Sequence, residues 1–430
     1  MTVPQEEILD YKLQHWLHHQ IDLLPVNQQI QLKSIRRCCT KPIPVKGEKS
    51  AVYLMKSDSH AFLFGQMTCK NTWACPICTA RMMAKYRSEI ASMLDMLRDK
   101  KFTNHDYIAI GLTFTVPHLA FMKCKETTDI LYNTWRYFTM KNSKKSNSHV
   151  YTSFANAVNV KYHIRVAEYT YGENGWHPHF HAIFWIDRAH ADEVLQWQNQ
   201  LNEFWTQCAK SYTLKYWLQN DLHSNINADR SALCDKLFAK SSNKYPALKI
   251  STDKNGNLLE CLSSDYITGW GSDRELTGNI RKEASHDGHF TVYQIMQMAQ
   301  YDDKYKDIFM DYLLNVTRKP VHARVRRTPG MIKLLQQYRN INGFKQVIKQ
   351  KKTTGAKILL YFDDFQWSSI CTKNRHAPVI SNILYLASVD IELLFDYLDF
   401  LEIECFLPDK TLSPFLQAIE NIFADTSAAG

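Results

Sequence analysis

Apolar positions recur along this chain with two different periods, and the change of period separates predicted helices from predicted strands. Leu9, Leu13 and Leu17 stand at helical spacing in the first forty residues. Residues 81–98 repeat the pattern as an amphipathic helix. Apolar residues three and four positions apart form one face of a helix. Helices are also expected over the segments 125–160, 189–219 and 291–316.

Three runs rich in β-branched and aromatic residues predict strands. They span 107–119, where Pro117 ends the run, 162–170 and 177–186. The second and third runs are separated by YGENGW, and its Asn174-Gly175 pair is a strong signal for a hairpin turn. Strands interleaved with helices, including an antiparallel pair, predict an α+β fold with a central antiparallel sheet and flanking helices.

Composition and charge suggest three parts: a helical, cysteine-rich segment (1–95), the α+β domain (96–300) and a mainly helical region (301–430) that is first basic and then acidic. Residues 318–357 hold 12 Lys/Arg and no Asp or Glu, whereas residues 358–430 hold 3 Lys/Arg and 11 Asp/Glu. A basic block without acids predicts a polyanionic partner, and a solvated basic face is the alternative. The candidate phosphate contacts are Arg324, Arg326, Arg327 and Lys333.

The remaining composition favours a soluble protein. Apolar residues make up 45% of the chain and charged residues 22%. No apolar run reaches the roughly 18 residues that span a bilayer, and the N-terminal residues lack a secretory signal pattern. We therefore expect a cytoplasmic protein with no membrane partner. Its eleven cysteines are expected to be reduced and to bind metal or fill the core.

Histidines at alternating positions supply the sharpest chemical signal. In HPHFH (177–181), His179 and His181 project from the same face of a strand, as alternate residues do. If Tyr171 pairs with Trp176, counting back along the hairpin places Glu168 opposite His179. Two imidazoles and one carboxylate suit Mn²⁺ or Mg²⁺ acting on phosphate oxygens. The alternative is a set of partly exposed histidines without a metal.

A second candidate site is built from thiols. Cys69, Cys75 and Cys78 lie close together in the sequence, and Cys-x2-Cys forms a knuckle that can hold Zn²⁺ in tetrahedral geometry. Cys39 or Cys38 could supply the fourth sulfur, and we assign Cys39. The predicted role is structural, and plain burial of the cysteines is the alternative.

These motifs resemble those of a known family. GWHPHFH (175–181) resembles the histidine–hydrophobe–histidine motif of HUH endonucleases, and more narrowly that of plasmid rolling-circle replication initiators (Rep proteins). The segments 69–82 and 111–119 resemble the family's cysteine-rich and upstream strand motifs. The resemblance implies a ferredoxin-like nuclease core, with Glu168, His179 and His181 as ligands of the divalent cation.

The resemblance also implies a tyrosine nucleophile. SDYITGW (264–270) resembles the family's tyrosine segment, which makes Tyr266 the candidate. This sequence departs from the family in having Gly269 where Lys is common, and Leu262 where some members have Glu. The helical pair Tyr301 and Tyr305 is the rival. Whether termination uses a second tyrosine or a glutamate such as Glu260 stays open.

The implied function is site-specific nicking of one DNA strand in the bacterial cytoplasm, which yields a 5′-phosphotyrosine link and a free 3′-hydroxyl primer. DNA would be the partner, together with a host helicase and polymerase. An HUH transposase or mobilisation relaxase would share the chemistry. A zinc-stabilised DNA-binding regulator without catalysis is the alternative from another class. The origin sequence, the host and the oligomeric state do not follow from the sequence.

Overall fold

Antiparallel sheets covered by helices account for most of the regular structure. The computed structural model describes residues 3–44, 50–57, 60–139, 149–223, 229–239, 247–263, 288–316, 323–341 and 356–407. The chain divides into a central unit, Met83–Gln346, and a terminal unit formed by Met1–Met82 with Val347–Gly430. Within the described residues, each unit contains one antiparallel sheet, which confirms the predicted α+β class and the antiparallel arrangement.

The terminal unit pairs strands from the two ends of the chain. Its sheet has the order β2-β1-β9, where β1 is Ala51–Lys56, β2 is Ala61–Phe64 and β9 is Lys357–Asp363. The helices of this unit are α1 (Val3–Asp22), α2 (Val26–Gln31), α3 (Lys33–Arg36), α13 (Asp364–Lys373), α14 (Val379–Val389) and α15 (Ile391–Phe400). Helix α4 (Pro76–Arg98) begins in this unit and continues in the central one.

The central unit contains a larger sheet. Its strands are β3 (Tyr107–Thr115), β4 (Tyr162–Gly172), β5 (Gly175–Asp187), β6 (Leu248–Ile250), β7 (Phe290–Thr291) and β8 (Val325–Arg327). They follow the order β6-β3-β5-β4-β7, and β8 also pairs with β4. The helices are α5 (Lys100–Thr103), α6 (Cys124–Phe138), α7 (His149–Ala157), a 3-10 helix (Arg188–Trp197), α8 (Gln198–Gln219), α9 (Arg230–Ala239), α10 (Val292–Met298), α11 (Asp303–Val316) and α12 (Met331–Ile341).

Both faces of the central sheet are covered. One face packs Ile164, Ile183 and Trp185 against apolar residues of α4 and α12. The opposite face packs aromatic rings against α6 and α8, for example Phe114 against Trp205 at 4.9 Å between ring centroids. Because side chains alternate between faces along a strand, each central strand contributes to both layers.

The predicted hairpin forms with the expected register. Tyr171 pairs with Trp176, and Glu168 pairs with His179. The connection is shorter than the four residues that separate Tyr171 from Trp176, because Gly172 also pairs with Gly175. Gly175 has φ of 83°, a conformation that glycine adopts without steric cost.

The unit boundaries differ from the predicted parts 1–95, 96–300 and 301–430. Long-range pairing explains the difference: β9 pairs with β1, which joins the two ends of the chain, whereas α12 packs Met331 and Leu335 into the core of the central unit. The predicted helix 189–219 begins as a 3-10 helix. The acidic part of the region 301–430, predicted to be mainly helical, includes α14 and α15, which are separated at Asp390. Asp390 caps α15 through the N–H groups of Glu392 and Leu393.

Candidate metal centres

The β4–β5 hairpin brings one carboxylate and two imidazoles together. His179 and His181 are two residues apart on β5 and share a face, and Glu168 lies opposite His179 on β4. The Nε2 atoms of His179 and His181 are each 3.1 Å from Oε2 of Glu168. The potential ligand atoms of these three residues all lie within 4.8 Å of one another, so they could hold a metal ion. We call these residues the Glu-His-His site.

The Nδ1 atoms of both histidines, on the other side of each ring, also lie within hydrogen-bonding distance of an oxygen. Nδ1 of His181 lies 3.2 Å from Oγ1 of Thr113 on β3, and Nδ1 of His179 lies 3.3 Å from the carbonyl oxygen of His177. A histidine that ligates a metal usually donates its other N–H to such an oxygen, which sets the tautomer and the ring orientation. The arrangement therefore directs both Nε2 lone pairs toward the shared space beside Glu168.

Electrostatics favour an ionised carboxylate at this position. Burial alone would raise the pKa of Glu168, but attraction and hydrogen bonds from His179 and His181 outweigh it and lower the pKa well below its usual range. Burial likewise opposes protonation of His179, yet Glu168 raises the pKa of that imidazole. A proton on His179 thus occupies the place that a cation would take, and the two must compete.

Four cysteines, Cys38, Cys69, Cys75 and Cys78, form the second candidate site, which we call the four-cysteine cluster. Sγ of Cys38 lies 3.4 Å from that of Cys78 and 3.5 Å from that of Cys75, and Sγ of Cys69 lies 3.4 Å from that of Cys78. Zn–S bonds of about 2.3 Å in a tetrahedron correspond to sulfur–sulfur distances of about 3.8 Å. The cluster therefore has nearly the dimensions of a zinc site.

Local structure supports this cluster. Cys75 and Cys78 lie just before and inside the first turn of α4, and Cys38 follows α3. Backbone N–H groups of Cys69 and Asn71 donate to the sulfurs of Cys38 and Cys69, at 3.4 Å each. Hydrogen bonds from Cys38, Cys69 and Cys75 lower the pKa of Cys78, which favours a thiolate. All eleven cysteines of the chain are free of disulfides.

The assignment of Cys39 as the fourth sulfur is corrected to Cys38. Sγ of Cys39 is 3.7 Å from that of Cys38, but it is not one of the four sulfurs that all lie within 4.8 Å of one another. Its backbone is left-handed, with φ of 61°, and turns the chain so that its carbonyl accepts from Trp367. The hydrogen bond with Cys38, and then burial, raise the pKa of the Cys39 thiol, so it stays protonated.

The structure separates the predicted basic contacts into two kinds. Arg326 and Lys333 are exposed. Arg324 is drawn inward, and burial lowers its pKa. Arg327 forms an ion pair with Glu89 and lies over the ring of Tyr86. Of these four side chains, the two exposed ones are therefore available to a large partner such as DNA.

The structure describes only some of the candidate nucleophilic tyrosines. Tyr266 lies outside the described residues. Tyr301 is 89% exposed, and Tyr305 packs its ring 5.8 Å from that of Phe290. Glu260 forms ion pairs with Arg98 and Arg188, at 3.4 Å each. The carboxylate of Glu260, which the sequence suggested as a candidate for the termination step, is therefore engaged in two ion pairs.

Two residues, one on the neighbouring strand β3 and one within the hairpin, were not singled out from the sequence. Thr113 bonds to a candidate ligand, and the strand register would have indicated it. Arg165 is buried on the opposite face of the sheet, where its guanidinium lies 4.0 Å from the ring centroid of Phe180. No local sequence signal distinguishes that arginine from a surface residue.

This chain has one distant structural likeness among the known proteins it was compared with. No protein-family profile matches the chain. No curated protein matches it either. One solved structure, described as the N-terminal nuclease domain of the minute virus of mice non-structural protein 1, is 12% identical with a TM-score of 0.22. The match covers 53% of this chain and 97% of that one. A likeness this weak carries no conclusion about this chain.

The described residues contain no helix long and apolar enough to cross a bilayer.

Proposed function

We propose that this chain is a metal-dependent endonuclease of the HUH type that nicks one strand of DNA. The observation that carries the proposal is the Glu-His-His site, in which Glu168, His179 and His181 present three ligand atoms to one space. Two imidazoles and a carboxylate with open positions suit Mn²⁺ or Mg²⁺. The motif resemblance described above agrees with this assignment and with an HUH core built around β4 and β5.

The chemistry needs a positioned phosphate and a nucleophile. A cation bound at the Glu-His-His site would polarise the scissile phosphate and favour in-line attack. Glu168 supplies the negative charge that holds the ion, and Thr113 orients His181. In our proposal the hydroxyl oxygen of Tyr266 bonds to phosphorus and its proton passes to solvent. The bond from phosphorus to the 3′ oxygen breaks, and that oxygen takes a proton from solvent. The products are a 5′-phosphotyrosine link and a free 3′-hydroxyl.

The finer proposal is a plasmid rolling-circle replication initiator in the bacterial cytoplasm. A free 3′-hydroxyl is the primer that a host polymerase extends, and a host helicase would open the duplex. Structural zinc in the four-cysteine cluster would stabilise the terminal unit. Arg326 and Lys333 would contact backbone phosphates, which positions DNA without reading its sequence. A transposase or a mobilisation relaxase would use the same site, and the DNA flanking the gene would distinguish them.

A covalent-adduct assay tests the proposal. Purified protein would be incubated with Mn²⁺ and single-stranded oligonucleotides tiling its own replicon, and a denaturing gel would detect protein-linked DNA. We expect an adduct that EDTA, His181→Ala and Tyr266→Phe abolish. His105→Ala is the control, because His105 is an exposed histidine outside the site.

Each contrary outcome has a distinct meaning. An adduct that survives Tyr266→Phe but not Tyr305→Phe would support the nicking activity and identify Tyr305 as the nucleophile. An adduct that survives both EDTA and His181→Ala would contradict the metal role. DNA binding without any adduct, with metal confirmed at the Glu-His-His site, would favour the non-catalytic regulator.

A further inference from the structure

A second pair of imidazoles adjoins the Glu-His-His site. His118 follows β3, and its ring centroid lies 4.9 Å from that of His177 on β5. The corresponding separation between His179 and His181 is 4.8 Å. His177 and His179 are 5.3 Å apart, so the four rings form a continuous row along one face.

His118 shares a hydrogen-bonding pattern with the candidate ligand His179. Nδ1 of His118 lies 3.4 Å from the carbonyl oxygen of Val116, two residues earlier. Nδ1 of His179 has the same relation to His177, at 3.3 Å. A carbonyl oxygen can only accept, so Nδ1 of His118 carries the proton and Nε2 keeps its lone pair. That lone pair suits a metal ion and cannot donate to a phosphate oxygen.

Burial and a neighbouring imidazole both keep His118 neutral. Burial lowers the pKa of His118, as does repulsion from His289, so the ring is neutral at physiological pH. Nδ1 of His289 lies 2.8 Å from the point that a Cβ on Gly172 would occupy. Gly172 therefore leaves room for the exposed His289 ring at the end of the β4–β5 hairpin.

We infer that His118 and His177 bind a second divalent transition ion, separate from the Glu-His-His site. Imidazole ligands favour ions of the Zn²⁺, Co²⁺ and Ni²⁺ class over Mg²⁺, which prefers oxygen ligands. The remaining coordination positions would be filled by water or by an oxygen of a bound phosphate. This inference does not depend on nicking activity.

Equilibrium dialysis of the full chain against Zn²⁺, followed by metal analysis, tests the inference. Zinc held by the four-cysteine cluster is counted first, after dialysis against a mild chelator, and subtracted. We expect Glu168→Ala/His181→Ala to retain about one exchangeable ion per chain, and added His118→Ala with His177→Ala to remove it. His105→Ala in the same double-variant background is the control and should retain the ion. Far-UV circular dichroism would verify that each variant is folded.

The outcomes separate this inference from the proposed function. If Glu168→Ala/His181→Ala holds no exchangeable ion, or if its ion survives loss of His118 and His177, the second site is disproved. If wild type and Glu168→Ala/His181→Ala hold the same number of ions and the His118 variant loses one, the second site stands while the metal site of the proposed nuclease fails. His118→Gln, which keeps polarity and similar bulk, should reproduce the loss if folding limits the alanine variant.

Discussion

The four-cysteine cluster and the Glu-His-His site differ in how far the protein surrounds an ion. Cys75 and Cys78 are 0% and 2% exposed, and four sulfurs would satisfy a tetrahedral ion completely. The Glu-His-His site offers three ligands, and the His181 side chain is 27% exposed. A closed set of ligands suits a structural ion, whereas an incomplete and accessible set leaves positions for a substrate. The comparison predicts that loss of an ion from the four-cysteine cluster destabilises the fold. Loss of an ion from the Glu-His-His site should impair only catalysis.

The largest effect should follow Cys38→Ser. Loss of one sulfur from the four-cysteine cluster should release zinc and lower the thermal midpoint by at least about 5 °C, because structural zinc binding contributes directly to folding. The neighbouring Cys39→Ser is the matched control, and it should keep its zinc. Metal analysis together with calorimetry would measure both quantities. Equal loss of zinc from the two variants would contradict the assignment of Cys38.

Glu168→Gln should have the opposite profile. It removes the only negative ligand of the Glu-His-His site, and we expect Mn²⁺ affinity and nicking to fall at least about 100-fold while the fold is retained. Glu173→Gln, in the turn of the same hairpin, should change neither. Metal competition, the adduct assay and thermal unfolding would be compared. A loss of folding as large as that of Cys38→Ser would remove the distinction between the sites.

Thr113→Val tests a residue that orients a ligand without touching the ion. Loss of the hydrogen bond to Nδ1 of His181 should weaken Mn²⁺ binding roughly 10- to 100-fold, the usual cost of removing such a partner. Thr115→Val is the control on the same strand, because Oγ1 of Thr115 donates to the carbonyl of Ala247 instead. Equal effects from the two variants would indicate general damage to β3.

The smallest effect is expected from pH. Glu168 raises the pKa of His179 above the ordinary imidazole value of 6.5, and only the neutral ring can ligate. Mn²⁺ affinity should therefore be full well above that raised pKa and should fall by about tenfold per unit once the pH drops below it. Titration calorimetry between pH 8 and pH 5.5 would measure the change. An affinity that stays constant over this range would exclude His179 as a ligand.

Much of the Glu-His-His site could be predicted because its geometry is local. Strand periodicity places His179 and His181 on one face, and a hairpin with a clear turn signal brings Glu168 opposite His179. The shorter loop left the register unchanged, because the predicted pairing of Tyr171 with Trp176 is the one that forms. The residues of this site are close in sequence, and no distant contact is needed to assemble it.

Features that depend on distant contacts or on single backbone angles escaped prediction. The choice between Cys38 and Cys39 depends on one left-handed residue, which spacing does not reveal. Arg324 and Arg327 belong to a basic block, yet the first is drawn inward and the second is paired with Glu89. The pairing of β9 with β1 joins residues some three hundred positions apart, and no local pattern encodes it.

That pairing also has a consequence for the order in which the protein can be made. The strands of the central unit end at Arg327, so its sheet can assemble while the rest of the chain is still being synthesised. The terminal unit has all four ligands of the four-cysteine cluster within the first 82 residues but must wait for β9. Until then one edge of β1 is unpaired, which is the kind of edge that invites aggregation. A nascent chain that stalls before Lys357 would therefore carry an exposed strand edge although its four-cysteine cluster is already complete.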